Sequence, residues 1–453
     1  MSEKSLSKAP QQTGVREFAG RARSAELGER AQKIIPGGAH TYAKGDDQFP
    51  VQAPGFIVRG KGCHAWDVDG NEFIEYGMGL RAVTLGHAFE PVVQAVAAEL
   101  VNGTNFTRPS PLEVEYAECL LKMIPGADMV KFAKDGSDTL DAAVRLARAH
   151  TGRERIMICG DHPFFSTSDW FIGTTEMPAG IPASVRSQVV KFRYNDIASA
   201  RALFDSHPRE IACVVLEAAR TEEPAPGFLQ DLQALCRKEG AVLVFDEMIT
   251  GFRWHIGGAQ GEYGVTPDLS TWGKALANGF CLSALAGRRE LMELGGMSHS
   301  RERVFLLSTT HGAETHSIAA GLATYKCYQE LGVIDVLYAR GAALRAGIAK
   351  LTAELGLQQH FGVVSRDCNL LFFTRDTQGN PSQPLRTLFM QELIRHRIIA
   401  PSLVVSFSHT EEDIARTLEA IGEALYVYKR ALAEGYEKYL LGRPVKPVFR
   451  KFA

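Results

Sequence analysis

The sequence lacks any apolar run long enough to cross a membrane, and its cysteines do not pair. No 18 consecutive residues of the 453 are apolar, and the N-terminal stretch MSEKSLSKAPQQTGVREF is polar, which argues against a membrane span and a secretion signal. The eight cysteines are scattered without a Cys-x-x-Cys pair, and no histidines cluster at ligand spacing. This pattern is typical of a reducing compartment and argues against structural zinc. We therefore expect a soluble, cytoplasmic protein without a metal.

An excess of either charge is also missing. The chain carries 50 basic and 52 acidic residues, so nothing in this balance favours binding to nucleic acid or to an anionic membrane. Its length is enough for about two or three domain-sized units with a large core.

Four segments differ in their patterns. Residues 1–30 are rich in polar side chains and predict a flexible arm, and residues 31–90 contain the strand-like runs GFIVRG, CHAWDVD and EFIEYG between glycine turns. Residues 91–325 alternate helical patterns with the apolar runs RIMIC, IACVVL and AVLVF, which is typical of a mostly parallel sheet covered on both faces. Residues 326–453 contain long helical patterns and a strand pair near NLLFFT. We predict an α/β large domain and a smaller α+β domain built from both ends of the chain.

Polar residues end two of the apolar runs. Glu217 follows IACVVL, Asp246 follows AVLVF, and Lys274 comes 28 residues after Asp246, among the small residues of TWGKALANG. Ligands of parallel α/β sheets lie beyond the carboxyl ends of the strands. Each residue alone also fits an ordinary strand end or a surface charge, so the pattern has to be considered as a whole.

A third motif, FAKDGSDTLDAAVRLARAHTGR, places Gly136 and Ser137 where a strand gives way to an amphipathic helix. Free backbone N–H groups, a hydroxyl and the positive end of a helix suit a phosphate, although alone they also describe an ordinary helix cap. A phosphate cradle, a buried acid and a lysine together predict pyridoxal 5′-phosphate (PLP). The lysine would form a Schiff base with the cofactor, and the acid would keep the pyridine nitrogen protonated.

Several motifs carry a family resemblance. The stretches VFDEMITGFR, GVTPDLSTWGKALANG, AWDVDGNEFIEYG, LGHAFEP, HTGRERI and SHTEEDI resemble class III PLP-dependent aminotransferases of fold type I. The resemblance spans about residues 36–425 and is closest to the branch that contains glutamate-1-semialdehyde aminomutase. It implies a seven-stranded sheet, with Lys274 as the Schiff-base lysine and Asp246 as the partner of the pyridine nitrogen.

The resemblance also implies further cofactor contacts. Met248 corresponds to an apolar side chain on one ring face, and Gly136 and Ser137 correspond to the phosphate loop. Thr310 matches a threonine that reaches the phosphate of the neighbouring subunit, and Thr309 is one register away. A homodimer with shared active sites follows as an expectation.

The segment that should stack on the cofactor ring departs from the family pattern. An aromatic residue normally precedes a His-Gly pair, whereas this chain has CGDHPFFSTSDW. His162, Phe164 and Phe165 are all candidates, and the sequence does not choose among them.

The substrate segments depart as well. Lys44 stands where the aminomutase has an arginine for its substrate carboxylate, and Leu80 with Arg81 stands where a tryptophan is usual. The chain between residue 400 and His409 is also about four residues shorter than its counterpart. We therefore predict Lys44 and Arg81 as substrate-binding residues of a rebuilt pocket.

The function expected from these motifs is transfer of an amino group from a small-molecule donor, by resemblance L-glutamate, to a ketone or aldehyde acceptor. The alternative is an aminomutase that moves the group within one molecule. A dinucleotide enzyme is weakly suggested by GMGLRA, but the next helix is expected about nine residues later, near Pro91, so no helix N-terminus should face those glycines. A non-catalytic binding protein would have no need for Lys274, Asp246 and the phosphate loop together.

Overall fold

The computed structural model describes residues 20–162 and 164–452. Residues 1–19 of the predicted arm lie outside the described residues, and residues 22–30 form part of the first helix rather than a flexible segment.

Fifteen α-helices occur in the described part of the chain. They are α1 Ala22–Ile34, α2 Met78–Arg81, α3 Glu90–Leu100, α4 Pro111–Met123, α5 Gly136–Thr151, α6 Asp169–Ile172, α7 Ala183–Arg186, α8 Ile197–Ser206, α9 Phe228–Glu239, α10 Gly258–Tyr263, α11 Arg289–Met292, α12 Thr315–Glu330, α13 Val333–Leu355, α14 Gln383–Arg395 and α15 Glu411–Glu434.

Thirteen β-strands accompany these helices among the same residues. They are β1 Ile57–Lys61, β2 His64–Asp67, β3 Glu72–Glu75, β4 Met129–Ala133, β5 Arg155–Cys159, β6 Val189–Phe192, β7 Ile211–Leu216, β8 Val242–Asp246, β9 Leu269–Trp272, β10 Ser283–Gly287, β11 Phe361–Val364, β12 Leu371–Thr374 and β13 Ile398–Ile399.

The central sheet has seven strands in the order β4-β10-β9-β8-β7-β5-β6. The neighbours from β9 to β6 are parallel, and β10 is antiparallel to both β9 and β4. The predicted α/β fold with a mostly parallel seven-stranded sheet is confirmed. The apolar runs IACVVL and AVLVF became strands because every residue of β7 and β8 is buried, and only a sheet covered on both faces needs such continuous apolarity.

Helices cover this sheet on two sides. Cys213 and Val215 of β7 pack with residues of α5, whereas Val214 and Leu216 pack with residues of α9. Successive side chains of a strand point to opposite faces, so one strand contributes to both apolar layers. The helix α5 is thereby held against the sheet with its first residue, Gly136, close to strand β8.

A smaller sheet joins the two ends of the chain. Strands β1, β2 and β3 form the predicted antiparallel element, and β13 pairs in parallel with β3 through Ile398 and Ile74. The predicted strand pair near NLLFFT is formed by β11 and β12. The predicted boundary at residue 325 falls inside α12, and the domain limits stay a prediction. None of the described helices is long and apolar enough to cross a membrane.

Candidate active site

The carboxyl ends of β7, β8 and β9 bring three predicted residues to one edge of the sheet. Leu216 pairs with Phe245, so Glu217 and Asp246 leave neighbouring strands side by side. Asp246 in turn pairs with Thr271 of β9, and Lys274 follows three residues later. The charges of Asp246 and Glu217 both act on Lys274. The sequence-predicted acids and lysine therefore share one site.

Asp246 is a buried carboxylate with one oxygen open to the site. Its Oδ1 accepts the backbone N–H of Met248 at 2.9 Å and the Thr271 hydroxyl at 3.4 Å. No described residue donates a hydrogen bond to Oδ2. Burial, followed by the charge of Glu217, raises the pKa of Asp246 to about 7. A cationic N–H on a ligand would reverse this shift and hold the carboxylate ionised.

Lys274 begins the short 3₁₀ turn Lys274–Ala277 and has a φ of 47°, a conformation that side chains other than glycine rarely adopt. Burial lowers the pKa of its ammonium group, and the charges of Arg81 and Arg253 act in the same direction, whereas the two carboxylates oppose them. A lowered pKa favours the neutral amine, which is the nucleophilic and proton-accepting form of lysine.

The second acid of the DEM motif, Glu247, has a structural role. It is 1% exposed, and its carboxylate accepts the backbone N–H groups of Ala259 and Gln260 at 2.8 Å each, at the start of α10. It also accepts the hydroxyl of Thr250. The two adjacent acids therefore differ in function, because only Asp246 keeps an oxygen free.

Met248 lies between two glycines that leave no room for a side chain. A Cβ at Gly136 would lie 3.0 Å from the Met248 sulfur, and one at Gly273 would lie 2.6 Å from it. Such distances are shorter than normal contacts, so both positions require glycine while Met248 stays in place. The Met248 side chain therefore lies against both Gly136, at the start of α5, and Gly273, the residue before Lys274.

The N-terminus of α5 is capped by a residue that the sequence analysis did not single out. Oδ1 of Asp135 accepts the backbone N–H groups of Ser137 at 2.8 Å and Asp138 at 3.1 Å. The Ser137 hydroxyl oxygen accepts the N–H of Thr167 at 3.0 Å and keeps its own hydrogen to donate. A phosphate at Gly136 and Ser137 would therefore meet a carboxylate already bound there.

Among the three stacking candidates, only His162 contacts the acid cluster. The backbone N–H of Glu217 donates to His162 Nδ1 at 3.1 Å, and burial lowers the pKa of His162 to about 3, so its ring is neutral. Phe165 is 2% exposed and packs in the apolar cluster of α5. Phe164 is half exposed, and its ring lies 5.7 Å from that of Phe171 and 6.4 Å from that of Phe449.

The two predicted substrate residues occupy different environments. Arg81 is partly buried, and its Nε donates to Asn369 Oδ1 at 3.1 Å, while its charge acts on Lys274 and Glu217. Lys44 is exposed on the 3₁₀ turn Tyr42–Lys44, and no described residue makes an ion pair or side-chain hydrogen bond with it. Its substrate role stays a prediction. Arg220 Nε lies 3.3 Å from Glu217 Oε2, and the charge of Arg220 acts on Arg81.

Thr309 and Thr310 are exposed on this subunit. The backbone oxygen of Thr310 accepts the side-chain amide of Asn105 at 2.9 Å, which fixes the main chain and leaves the hydroxyl free. Their position does not test the predicted contact with a neighbouring subunit.

Away from this edge, Cys63, His64 and Asp413 present donor atoms that all lie within 4.8 Å of one another. The Cys63 thiol donates to Asp413 Oδ2 at 3.3 Å, and His64 Nε2 lies 3.2 Å from Oδ1. The sequence did not suggest this cluster, since Asp413 is distant along the chain. Asp413 also caps α15 together with Thr410, so hydrogen bonding accounts for the group. The absence of a metal stays a prediction.

The residues at the edge of the sheet fit PLP. Asp246 offers an unpaired carboxylate oxygen to a ring nitrogen, and Lys274 offers an amine. A Cβ at Gly136 would collide with the Met248 side chain, and buried Glu217 Oε2 has no hydrogen bond of good geometry from the described residues, with Arg220 Nε 3.3 Å away. Asp135 is the one group that competes with a phosphate.

This fold and this set of residues define a PLP-dependent transferase of fold type I. The chain belongs to the aminotransferase class-III family, whose model matches residues 42–363. It is 32% identical to 3-aminobutyryl-CoA aminotransferase of Cloacimonas acidaminovorans, over 91% of this chain and 98% of the relative. It is 33% identical to glutamate-1-semialdehyde 2,1-aminomutase of Desulforamulus reducens, over 88% and 96% of the two chains.

Solved structures agree with this assignment. The PLP internal aldimine form of the FumI protein of Sphingopyxis sp. MTA144 superposes with a TM-score of 0.81 at 30% identity, over 91% of this chain and 98% of that one. An omega-transaminase from Sphaerobacter thermophilus gives the same TM-score at 26% identity, over 90% and 98%. The protein is a PLP-dependent aminotransferase, as the motifs predicted.

Arg220 and Asp135 were missed by the sequence analysis. Arg220 follows Glu217 by three residues in EAAR, and a charge so close to a buried acid was the available signal. Asp135 directly precedes Gly136, and Asp is a favoured helix N-cap, so its position in KDGSD was the signal for the cap.

Proposed function

We propose that the protein transfers an amino group from L-glutamate to a ketone or aldehyde acceptor through the pyridoxamine form of its cofactor. The observation that carries the proposal is the junction of β7, β8 and β9, where Asp246, Glu217 and Lys274 act on one another electrostatically. When bound, PLP accepts the amino group and withdraws electrons from the bonds of the substrate.

The residues divide the remaining work. Lys274 would hold the cofactor covalently and, as a neutral amine, would accept and return a proton at its Nζ atom. Oδ2 of Asp246 would accept a hydrogen bond from the ring nitrogen of the cofactor, while the hydrogen bond from Met248 fixes Oδ1. Burial of Asp246 strengthens this ion pair, since low dielectric increases the attraction of opposite charges.

The ring faces and the phosphate are assigned to neighbouring side chains. Met248 and His162 would hold the cofactor ring, since His162 is the stacking candidate in contact with Glu217. Gly136 and Ser137 bind the phosphate through the start of α5. We further propose a cytoplasmic homodimer in which Thr309 or Thr310 completes the partner's phosphate site, as in the family pattern.

The experiment is a pair of half-reactions. The holoenzyme is mixed with L-glutamate alone, and the cofactor spectrum and free 2-oxoglutarate are followed. We expect about one equivalent of 2-oxoglutarate per site together with the pyridoxamine spectrum, and return of the original spectrum on addition of a carbonyl acceptor. No spectral change with any of a panel of amino donors would overturn the proposal.

The aminomutase of the family is the second candidate, since such a protein is among the relatives. It predicts a different outcome: glutamate-1-semialdehyde would be converted to an isomer of equal mass, with no keto acid released. Mass spectrometry of the products separates the two functions. Lys44 replaces the arginine of the aminomutase and lacks its bidentate fork, which favours the transferase.

A further inference from the structure

One carboxylate, Glu217, is paired with Arg220 and also lies within the electrostatic range of Arg81. The charge of Glu217 acts on both Arg81 and Arg220, and the positive charges of the two arginines repel each other. No described carboxylate lies within ion-pair distance of Arg81. The site therefore carries more guanidinium charge than its acids neutralise.

Arg81 is desolvated without an anionic partner. Burial, together with the charges of Arg253 and Arg220, lowers the pKa of Arg81 to about 10. Its only described side-chain hydrogen bond runs from Nε to the neutral oxygen of Asn369, at 3.1 Å, so the two Nη groups remain available. A guanidinium removed from water without a counter-ion is unfavourable, and its fork of N–H donors matches a carboxylate or a phosphate.

The backbone holds Arg81 in a strained but fixed position. Residues 78–81 all have positive φ, at 43°, 58°, 57° and 70°, and only one of the four is glycine. The carbonyl oxygen of Arg81 accepts Nη2 of the fully buried Arg253 at 2.6 Å. Strained backbone of this kind clusters at functional sites, where it positions a side chain.

Arg220 has an exchangeable partner. Its Nε lies 3.3 Å from Glu217 Oε2, yet that oxygen has no hydrogen bond of good geometry. The backbone oxygen of Arg220 accepts the Ser365 hydroxyl at 2.6 Å, which fixes the main chain and leaves the guanidinium free to change partner. Burial raises the pKa of Glu217, whereas the charges of Arg220, Lys274 and Arg81 oppose this shift.

We propose that Arg81 and Arg220 form an anion subsite that binds a carboxylate or phosphate on the carbonyl acceptor, and that this anion displaces Glu217 from Arg220. The inference rests on the proposed aminotransferase function and gives its acceptor a chemical class: an aldehyde or ketone with a negatively charged group away from the reacting carbon. Lys44 has no part in the subsite, because it is exposed and makes no described contact with these residues.

The test uses the second half-reaction alone, so that donor binding does not enter. Apoenzyme is loaded with pyridoxamine 5′-phosphate, and single turnovers are followed by the cofactor spectrum with two matched pairs of acceptors. One pair is 4-oxobutanoate and butanal, and the other is glyceraldehyde phosphate and glyceraldehyde. Each pair differs by the anionic group, and the two pairs separate a carboxylate from a phosphate ligand.

We expect the anionic member of at least one pair to react faster at low concentration in the wild type. Arg81→Gln and Arg220→Gln should each lower that preference by about 10- to 100-fold, as expected for loss of a charge-assisted hydrogen bond. Rates with the neutral member should fall less than rates with its anionic counterpart, and the ratio of the two rates removes any effect of Arg81 on Lys274. Arg193→Gln is the matched control, because Arg193 lines the same surface cleft as Arg220 but is exposed and paired with Asp196 at 2.6 Å.

The outcomes distinguish the inference from the function on which it rests. If the pyridoxamine form reacts with neutral and anionic acceptors equally, or if both arginine variants keep the wild-type preference, the subsite is wrong and the aminotransferase function stands. If none of the four carbonyl compounds returns the original spectrum, the proposed second half-reaction fails and the subsite with it. Cofactor absorbance and the melting temperature verify that each variant is folded and loaded.

Discussion

Oδ1 of Asp135 accepts the backbone N–H of Ser137 at 2.8 Å, at the helix terminus where the cofactor phosphate is proposed to bind. The same oxygen accepts the N–H of Asp138 at 3.1 Å. Two backbone N–H groups that a phosphate would use therefore already donate to the carboxylate of Asp135, which is negatively charged like the phosphate. Binding of the phosphate requires Asp135 to turn away.

Asp135→Ala should therefore bind pyridoxamine 5′-phosphate more tightly than the wild type. A helix N-cap stabilises by about 1 kcal/mol, which corresponds to about fivefold in affinity, and loss of charge repulsion adds to this. The dissociation constant of the apoenzyme is measured by spectroscopic titration. Asp135→Asn is the control, since Asn still caps the helix and removes only the charge. Pyridoxamine without its phosphate should bind all three proteins alike, and an unchanged constant in Asp135→Ala would contradict the idea of competition.

Lys274→Ala should abolish turnover and the absorbance of covalently bound cofactor without unfolding the protein. The lysine already has a lowered pKa from burial, so its removal relieves a desolvated charge. We expect a rate below about one-thousandth of the wild type and an apoenzyme melting temperature within a few degrees. Measurable turnover with a normal cofactor spectrum would assign the covalent bond to another residue.

Asp246→Asn should stabilise the apoenzyme in a pH-dependent manner. Its pKa is about 7 in the fold and 3.8 as a free group, so the folded state holds an extra proton between these values. The contribution of Asp246 to wild-type stability should then fall as pH rises from about 4 to about 7, by up to about 1.4 kcal/mol per pH unit, and change no further above that. The asparagine variant lacks this loss, so its advantage in thermal unfolding should grow between pH 5 and pH 7.

The same variant should lose about 10²- to 10³-fold in activity when loaded, because an amide cannot balance a pyridinium charge. Single-turnover rates with L-glutamate measure this effect. A wild-type rate would assign the ring nitrogen to Glu217, which leaves the neighbouring strand beside Asp246.

Mixed dimers should reveal whether the sites are shared. One subunit carries Lys274→Ala, and the other carries Thr309→Ala with Thr310→Ala. If the threonines complete the partner's site, the mixed dimer combines both defects in one site and leaves the other site intact. Co-refolded mixtures should then recover activity that neither parent has. If the threonines serve their own subunit, every site carries a defect and no activity returns.

Some features of the site could be predicted from local sequence. The runs that form β7 and β8 are continuously apolar and are each closed by an acid. Because adjacent parallel strands end at one edge of the sheet, this pattern predicts that the two acids lie close together. Lys274 and Gly136 were identified because the surrounding residues TWGKALANG and KDGSD form recognisable motifs. The sequence did not choose among the stacking candidates His162, Phe164 and Phe165. The structure shows that Phe165 is buried in the apolar layer of α5.

The sequence by itself thus determined the fold class, the cofactor and the pairing of Asp246 with Lys274, because these depend on short-range patterns of burial and turn chemistry. Only the tertiary structure decided which charges act on Lys274 and Glu217. Arg81 comes from the left-handed turn after β3, Arg220 from the loop after β7 and Asn369 from the segment before β12. Their proximity depends on how distant strands and loops pack, and electrostatic interactions act through space rather than along the chain.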